Sequence, residues 1–593
     1  MLAKLCSRSI GLLLFAFCTS VHAQPDTFGK IADIVEPAME RAVDEGALGA
    51  AVVIVADGEV AFQSAKGFAK ANKSEPVDAE TTAFRFASLG KSVVAMAALQ
   101  MASTGQLDLD ENIAAYLGED APAMPFGPIT MRHLLSHTSG IDAEYAGDAA
   151  RSPGETVSLA ELVPAQIPAQ RFNPGSIYIY SNHGYALAGR VMEKVSGRSF
   201  SELMQDTIFT PLGMSGSRFV QGYDPARVAQ STRDGSPVLP SFTNVLPADG
   251  WIGTMPDLGR YMIGQLALRE DSPLINAGLH NQAFAHTTDY PREGLGWEIR
   301  QWGEHRVLSH TGGVDGFSSI MVLVPDSDFG IAIALNSRRG DLRSDILDTV
   351  RETYFSTPRT KAPNLAELEN GLTAQDIAGT YLSENRNHGR LRWVHRLGLS
   401  GGILNVSEDD GVIDVEGIRY AHSGANTEDL GDWQRGYRIR FVRDDEGRTL
   451  ALEGRDAYRR LHLLNTPTAV IIALIAGVLA SIARIAAYPF RKRGAGTQTY
   501  GELLLMVSSL CFVTGLALVF LSMQIVGDIS FGLHPLYHAG QVALVAAAGI
   551  MLTLGFVLSL QLKISAFMFL LTFVQSIALV SALQTGLIGL PWA

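Results

Sequence analysis

Four apolar stretches close the chain, at roughly 466–490, 502–524, 539–560 and 564–590, and they constrain its architecture more than any other feature. Each exceeds the roughly 20 residues a helix needs to cross a hydrocarbon layer, and only Arg484 and the terminal Glu502 carry charge. A four-helix transmembrane region over 466–590 is therefore expected. The basic cluster Arg491-Lys492-Arg493 and Lys563 would both face the cytoplasm if the preceding body lies outside. The N-terminus agrees: Lys4 and Arg8 precede the apolar run Ile10 to Phe17, and Val21-His22-Ala23 offers small residues before Gln24. Residues 1–23 read as an export signal, which places the body on the periplasmic or extracellular side of a cell membrane.

With 593 residues the chain exceeds one hydrophobic core. Its net charge of -13 and its lack of a long basic tract exclude a nucleic-acid partner, since phosphate binding needs clustered Lys and Arg. Cys6 and Cys18 lie in the export signal and Cys511 in an apolar stretch, which leaves the body no disulfide framework and no cysteine metal site. A Pro- and Lys-containing stretch within the linker 356–371 separates residues 24–355 from a small antiparallel β module at 372–464, where short alternating runs such as Tyr437 to Phe441 recur. In the first domain, Ala50 to Ala56 and Val60 to Ala65 flank Asp57-Gly58, a hairpin signal. Ser92 to Thr104 has helical character with a stop at Gly105, and Arg306 to Ser309, Ser318 to Val324 and Gly330 to Leu335 read as strands. Strands at both ends with helices between predict an α+β fold: one antiparallel sheet flanked by helices, with a helical subdomain.

Three short groupings carry chemistry. Ser88-Leu89-Gly90-Lys91 opens the helix, and a three-residue step puts both side chains on one face, with the serine at the positive end of the helix dipole. A serine and lysine so spaced occur about twice by chance in a chain of this length, and a helix cap followed by a solvated lysine is the bland reading. Tyr180-Ser181-Asn182 follows a Pro-Gly turn; the two outer side chains of an extended segment point the same way, one able to exchange a proton and the other to bond an amide. Ser309-His310-Thr311-Gly312-Gly313 lies between strands, and its small residues let a substrate backbone approach a strand edge. Tyrosine packed on a sheet and a glycine turn beside a surface histidine are the corresponding bland readings. His133 and His137 have an i,i+4 metal spacing, but no glutamate lies between them and no third ligand is evident, so they read as structural and no metal or other cofactor is expected. Gly213 to Ser217 approaches a nucleophile elbow but ends in serine instead of glycine.

Taken in order, Ser88-x-x-Lys91, Tyr180-x-Asn182 and His310-x-Gly312 resemble the serine β-lactamase and penicillin-binding-protein superfamily, in its class C-like branch. The segments Ile129 to Gly140, Pro211-Leu212-Gly213-Met214 and Gly294 to Trp297 look like family segments too, so the resemblance covers roughly Ile31 to Asn336. It implies that Ser88 is the acylated nucleophile, Lys91 its base partner and Tyr180 a proton shuttle, with an oxyanion hole from the backbone N–H groups of Ser88 and Gly313. Asn182, His310, Thr311 and Gly313 would bind a small-molecule or peptide substrate. His310 stands where many relatives carry lysine, which removes a permanent cation and resembles family members that are esterases, D-amino-acid peptidases or β-lactamase-like hydrolases.

The function expected is a membrane-anchored serine hydrolase working through an acyl-enzyme on amides or esters, of the β-lactam or D-amino-acid peptide class. A carboxylesterase on the same scaffold is one alternative. A non-catalytic receptor or transport accessory, using the membrane part, is the other.

Overall fold

The structure, a computed structural model, describes residues 28–143, 147–222, 226–267, 293–356, 365–385, 402–409, 412–422, 438–444, 447–462, 466–487, 497–526, 537, 539–550 and 574–578. The expected export signal at 1–23 lies outside them.

The first domain is built on strand β1 (Gly49–Ala56), whose eight residues are all buried. Its side chains alternate between two cores: Ala51, Val53 and Val55 enter one, and Ala50, Val52 and Ile54 the other. Burial on both faces explains why the sequence GAAVVIVA is apolar throughout, without the polar alternation of a one-sided strand. The Asp57-Gly58 turn returns the chain into β2 (Glu59–Gly67); both turn residues have positive φ, as a two-residue hairpin of this twist requires. The sheet is completed from the far end of the domain by β3 (Glu298–Trp302), β4 (His305–Val314), β5 (Phe317–Val324) and β6 (Phe329–Leu335). The strand order is β3-β4-β5-β6-β1-β2, and every pairing is antiparallel.

Helix α1 (Ile31–Asp44) and the last helix of the domain (Gly340–Tyr354) cover one face through Val35, Met39, Ile346 and Val350. The other face carries α2 (Gly90–Ser103), α3 (Asn182–Ser196) and α4 (Met255–Ala267) within one continuous core. This is the expected α+β arrangement. One detail differs: β4 runs through His310 to Gly313, which sequence patterning left between strands. Glycine is a poor strand former, but Gly312 and Gly313 are held by pairing to Ser319 and Ser318 across β5.

Among the described residues the β module is a closed barrel of eight strands. Its first strand, Leu365–Leu368, falls within the stretch that composition assigns to a linker, and it closes the barrel by pairing parallel to Arg438–Arg443. A four-residue strand paired in parallel has too little alternation to be read locally, so a purely antiparallel module was expected. The remaining neighbours are antiparallel apart from a second parallel contact of Leu365 with Ala421.

Beyond the barrel, Pro467–Ala486 is the one helix among the described residues that is long and apolar enough to cross a membrane, with a mean hydropathy of 2.4. The helix Thr497–Val526 contains a shorter apolar part, Leu503–Val519, and Ala539–Ile550 is another. Among the described residues the structure thus shows one such span of the four expected from sequence; much of the third and fourth lies outside the described residues.

Candidate active site

Ser88 sits in a single 3-10 turn, Ala87–Leu89, that leads directly into α2. The residue before it, Ala87, has φ +51°, a left-handed conformation that costs a residue with a Cβ about 1–2 kcal/mol. The turn is pressed against β4: a Cβ on Gly312 would overlap Phe86 O and Ser319 Oγ, and Ser319 Oγ already donates to Phe86 O at 2.9 Å. Only glycine lets the third motif lie this close to the nucleophile turn.

Lys91 is the second residue of α2 and fully buried, and its Nζ lies 3.1 Å from Ser88 Oγ. The same nitrogen donates to Asn182 Oδ1 at 2.9 Å and to Ala248 O at 3.0 Å. Asn182 opens α3, and its amide nitrogen donates to Asp148 Oδ2 at 2.9 Å, which turns its oxygen toward the lysine. Burial pushes the Lys91 ammonium down to about 7, against the attraction of Asp249 and Asp148. That displacement is worth about 5 kcal/mol, at about 1.4 kcal/mol per pH unit. Desolvation therefore outweighs two carboxylates, and a large fraction of Lys91 is a neutral amine at neutral pH. With two acceptors occupying two of its hydrogens, the lone pair of that amine faces Ser88 Oγ.

The Tyr180 hydroxyl is hydrogen bonded to Ser88. Burial raises the phenol well above its ordinary range, a shift that the bond to Ser88 partly opposes, so Tyr180 stays protonated at neutral pH. The segment that carries it belongs to no sheet. Ile179 N–H donates to His137 O at 2.8 Å and Ser181 N–H to His137 Nδ1 at 3.1 Å, while Tyr180 N–H points the other way and donates to Asn385 Oδ1 at 2.9 Å. The His137 ring also packs on the Tyr180 ring, with centroids 4.3 Å apart. Burial holds this imidazole well below its usual range, with the positive charges of Lys91 and Arg455 adding to the effect.

His137 does not share a helical face with His133. The helix Met131–Leu135 stops before it, His137 itself has φ +58°, and His133 serves in the capping box of Thr130. The i,i+4 spacing in the sequence is therefore not an i,i+4 pair in space.

The opposite wall is β4. His310 is buried, and its Nδ1 lies 2.7 Å from Thr311 O. A carbonyl oxygen only accepts, so Nδ1 carries the proton and Nε2 keeps a lone pair. Burial brings this imidazole down to about 3, assisted by the charge of Lys91, so His310 is neutral at any physiological pH. Thr311 and Gly313 are exposed on the strand.

The structure thus links Ser88, Lys91, Tyr180 and Asn182 by hydrogen bonds and sets His310, Thr311 and Gly313 on the facing strand. Sequence spacing does not reveal Asp148, Asp249, His137, Asn385 or Arg455. Each reaches the site from a distant part of the chain, and a lone aspartate or asparagine in a loop carries no local signal.

An α+β domain with a serine at a helix start, a depressed lysine beside it and a tyrosine on the same hydroxyl defines a serine hydrolase. The Beta-lactamase family model matches residues 31–354, more than half of the chain, and the protein belongs to that family. Among curated relatives, the D-alanyl-D-alanine-carboxypeptidase/endopeptidase AmpH of Escherichia coli K12 is 26% identical over 376 residues, covering 58% of this chain and 96% of its own. Penicillin-binding protein 4* of Bacillus subtilis is 25% identical over 339 residues, covering 52% and 72%. Esterase EstB of Burkholderia gladioli is 31% identical over 241 residues, covering 37% and 60%. Among solved structures, that of SurE with D-Leu is 26% identical, with a TM-score of 0.50 over 73% of this chain and all of that one.

Proposed function

We propose that this enzyme is a membrane-anchored hydrolase that acylates Ser88 with amide or ester substrates outside the cytoplasm, with D-amino-acid peptides and β-lactams as the substrate classes. One observation carries the reading: Ser88 Oγ is bonded at once to a lysine whose ammonium is brought down to about 7 and to a protonated tyrosine. Neutral Lys91 takes the Ser88 proton as Oγ attacks the substrate carbonyl. The backbone N–H groups of Ser88 and Gly313 hold the oxyanion. As the C–N or C–O bond breaks, Tyr180 gives its proton to the leaving group and regains one from Lys91; water then hydrolyses the acyl ester and restores Ser88. Asn182 holds the substrate amide as well as the lysine. The apolar helix Pro467–Ala486, the basic residues 491–493 and the export signal support the anchor and its orientation.

A carboxylesterase remains a second reading, because neutral His310 supplies no fixed cation for a substrate carboxylate. The non-catalytic receptor has no observation in its favour. Intact-mass spectrometry of the full chain in detergent, with excess penicillin and separately with a p-nitrophenyl ester, tests the proposal. An acyl adduct on the wild type and none on Ser88→Ala is expected. Ester turnover with no penicillin adduct or hydrolysis would select the esterase, and no turnover of ester, D-peptide or penicillin would sink the acyl-enzyme reading.

A further inference from the structure

Among the described residues, the barrel meets the catalytic domain at the back of the tyrosine segment. Asn385 follows the barrel strand Gly379–Ser383 and is pinned by its own N–H to Ser383 Oγ at 3.1 Å, while the N–H of neighbouring Glu384 donates to Ala457 O at 2.8 Å. Arg455 lies in the tight turn between strands Thr449–Glu453 and Asp456–Arg460, and the second of these pairs with Gly379–Ser383. Two adjacent strand ends thus present Asn385 and Arg455 side by side.

Each meets a specific group. Asn385 Oδ1 accepts the Tyr180 N–H. The Arg455 guanidinium lies over the Tyr178 ring, 4.6 Å from its centroid, and donates to buried Glu293 Oε2 at 2.7 Å. Its other arm is 3.7 Å from Glu298 on β3, and Glu298 is the register partner of Ser309, next to His310. Between these polar contacts, Ile177 and Ile179 pack against Leu452 and Ala457 in a small core shared by the two domains.

An extended strand points successive N–H groups to opposite sides. His137 serves those of Ile179 and Ser181 from inside the catalytic domain, and the intervening one belongs to the barrel. The catalytic domain alone therefore leaves the peptide that carries Tyr180 held on one side.

We infer that the barrel is a working part of the acylation site, with Asn385 and Arg455 as positioning residues that hold Tyr180 on Ser88 and brace the His310 strand. This rests on the acyl-enzyme reading above. Neither residue touches the reacting atoms; both act through Tyr180 and β3. A displacement of about 1 Å in a proton-transfer group costs on the order of 100-fold in rate, so loss of one of two supports for this peptide is expected to cost about 10- to 100-fold.

The test measures labelling of Ser88 by a fluorophosphonate, and kcat and KM for a p-nitrophenyl ester, on the full chain in detergent for wild type, Asn385→Ala, Asn385→Asp and Arg455→Met. Asn385→Ala and Arg455→Met are expected to slow labelling about 10- to 100-fold and to lower kcat with little change in KM, while the acid limb set by Lys91 stays near pH 7. Asn385→Asp keeps an acceptor for the Tyr180 N–H and is expected to recover to within about threefold of wild type. A role confined to holding the two domains together would lower thermal stability in all three variants without this split. Wild-type labelling rates in folded Asn385→Ala and Arg455→Met, or an equal loss in Asn385→Asp, would overturn the inference alone. A wild type that labels no better than Ser88→Ala would overturn the acyl-enzyme reading, and this inference with it.

Discussion

The two sides of the catalytic cleft are built by different means. On one side, Ser88 and Lys91 are three residues apart at the start of one helix, and the geometry between them follows from helix periodicity. On the other, Tyr180 lies in a segment without sheet partners, whose three successive N–H groups are satisfied by His137 and by Asn385, which lie 43 positions before and 205 positions after Tyr180 in the chain. The first side is rigid because the backbone itself makes it so. The second is rigid only when the rest of the molecule has folded around it, and it is the side on which a distant domain gains influence over the chemistry.

Ser88→Ala gives the largest expected effect, since it removes the nucleophile: acylation measured by intact mass should disappear altogether. Lys91→Met follows, with a loss of acylation of about 10²- to 10⁴-fold, the range of a general base. The wild-type pH profile sharpens the point. Lys91 acts as a base only when neutral and is brought down to about 7, so kcat/KM should fall about tenfold per pH unit below pH 7 and level off above it. A profile flat from pH 5 to 8 would mean that the local side of the cleft does not supply the base.

Removal of a tertiary support is expected to do less. His137→Ala takes away a ring packed on Tyr180 and the acceptor of the Ser181 N–H, and kcat should fall about tenfold or more with a modest change in KM. An unaltered kcat would show that the Tyr180 side is as self-sufficient as the Ser88 side. Gly312→Ala probes where the two sides meet: its Cβ must push β4 away from Phe86, so a loss of about 1–3 kcal/mol in stability is expected alongside slower acylation. The smallest effect belongs to Ala87→Gly. Relief of the positive φ should stabilise the fold by up to about 1 kcal/mol in thermal unfolding, and it also loosens the turn before Ser88.

Much of the fold was legible because its signals are local or periodic. The Asp57-Gly58 hairpin, the helix after Ser88 and the late strands lie where turn chemistry and patterning put them. The reading fell short wherever pairing was long-range. The His310 strand extends through two glycines because Ser318 and Ser319 lie opposite, and the barrel begins at Leu365 because a strand more than seventy residues later lies alongside it. His133 and His137, whose i,i+4 spacing the sequence reading takes as structural, are separated in space by a helix end.

By itself, then, the sequence determined the order of the three motifs, the α+β class, the apolar C-terminal region and the neighbours Ser88 and Lys91, all of which depend on residues close in the chain. Only the tertiary structure decided the protonation of the site. Lys91 is depressed because it is buried against the attraction of Asp148 and Asp249, and His310 is neutral because β4 is covered. Burial and long-range charge are properties of packing, and no local pattern encodes which loop will supply them. The same holds for Asn385 and Arg455, which reach the tyrosine only because a closed barrel brings two strand ends to its back.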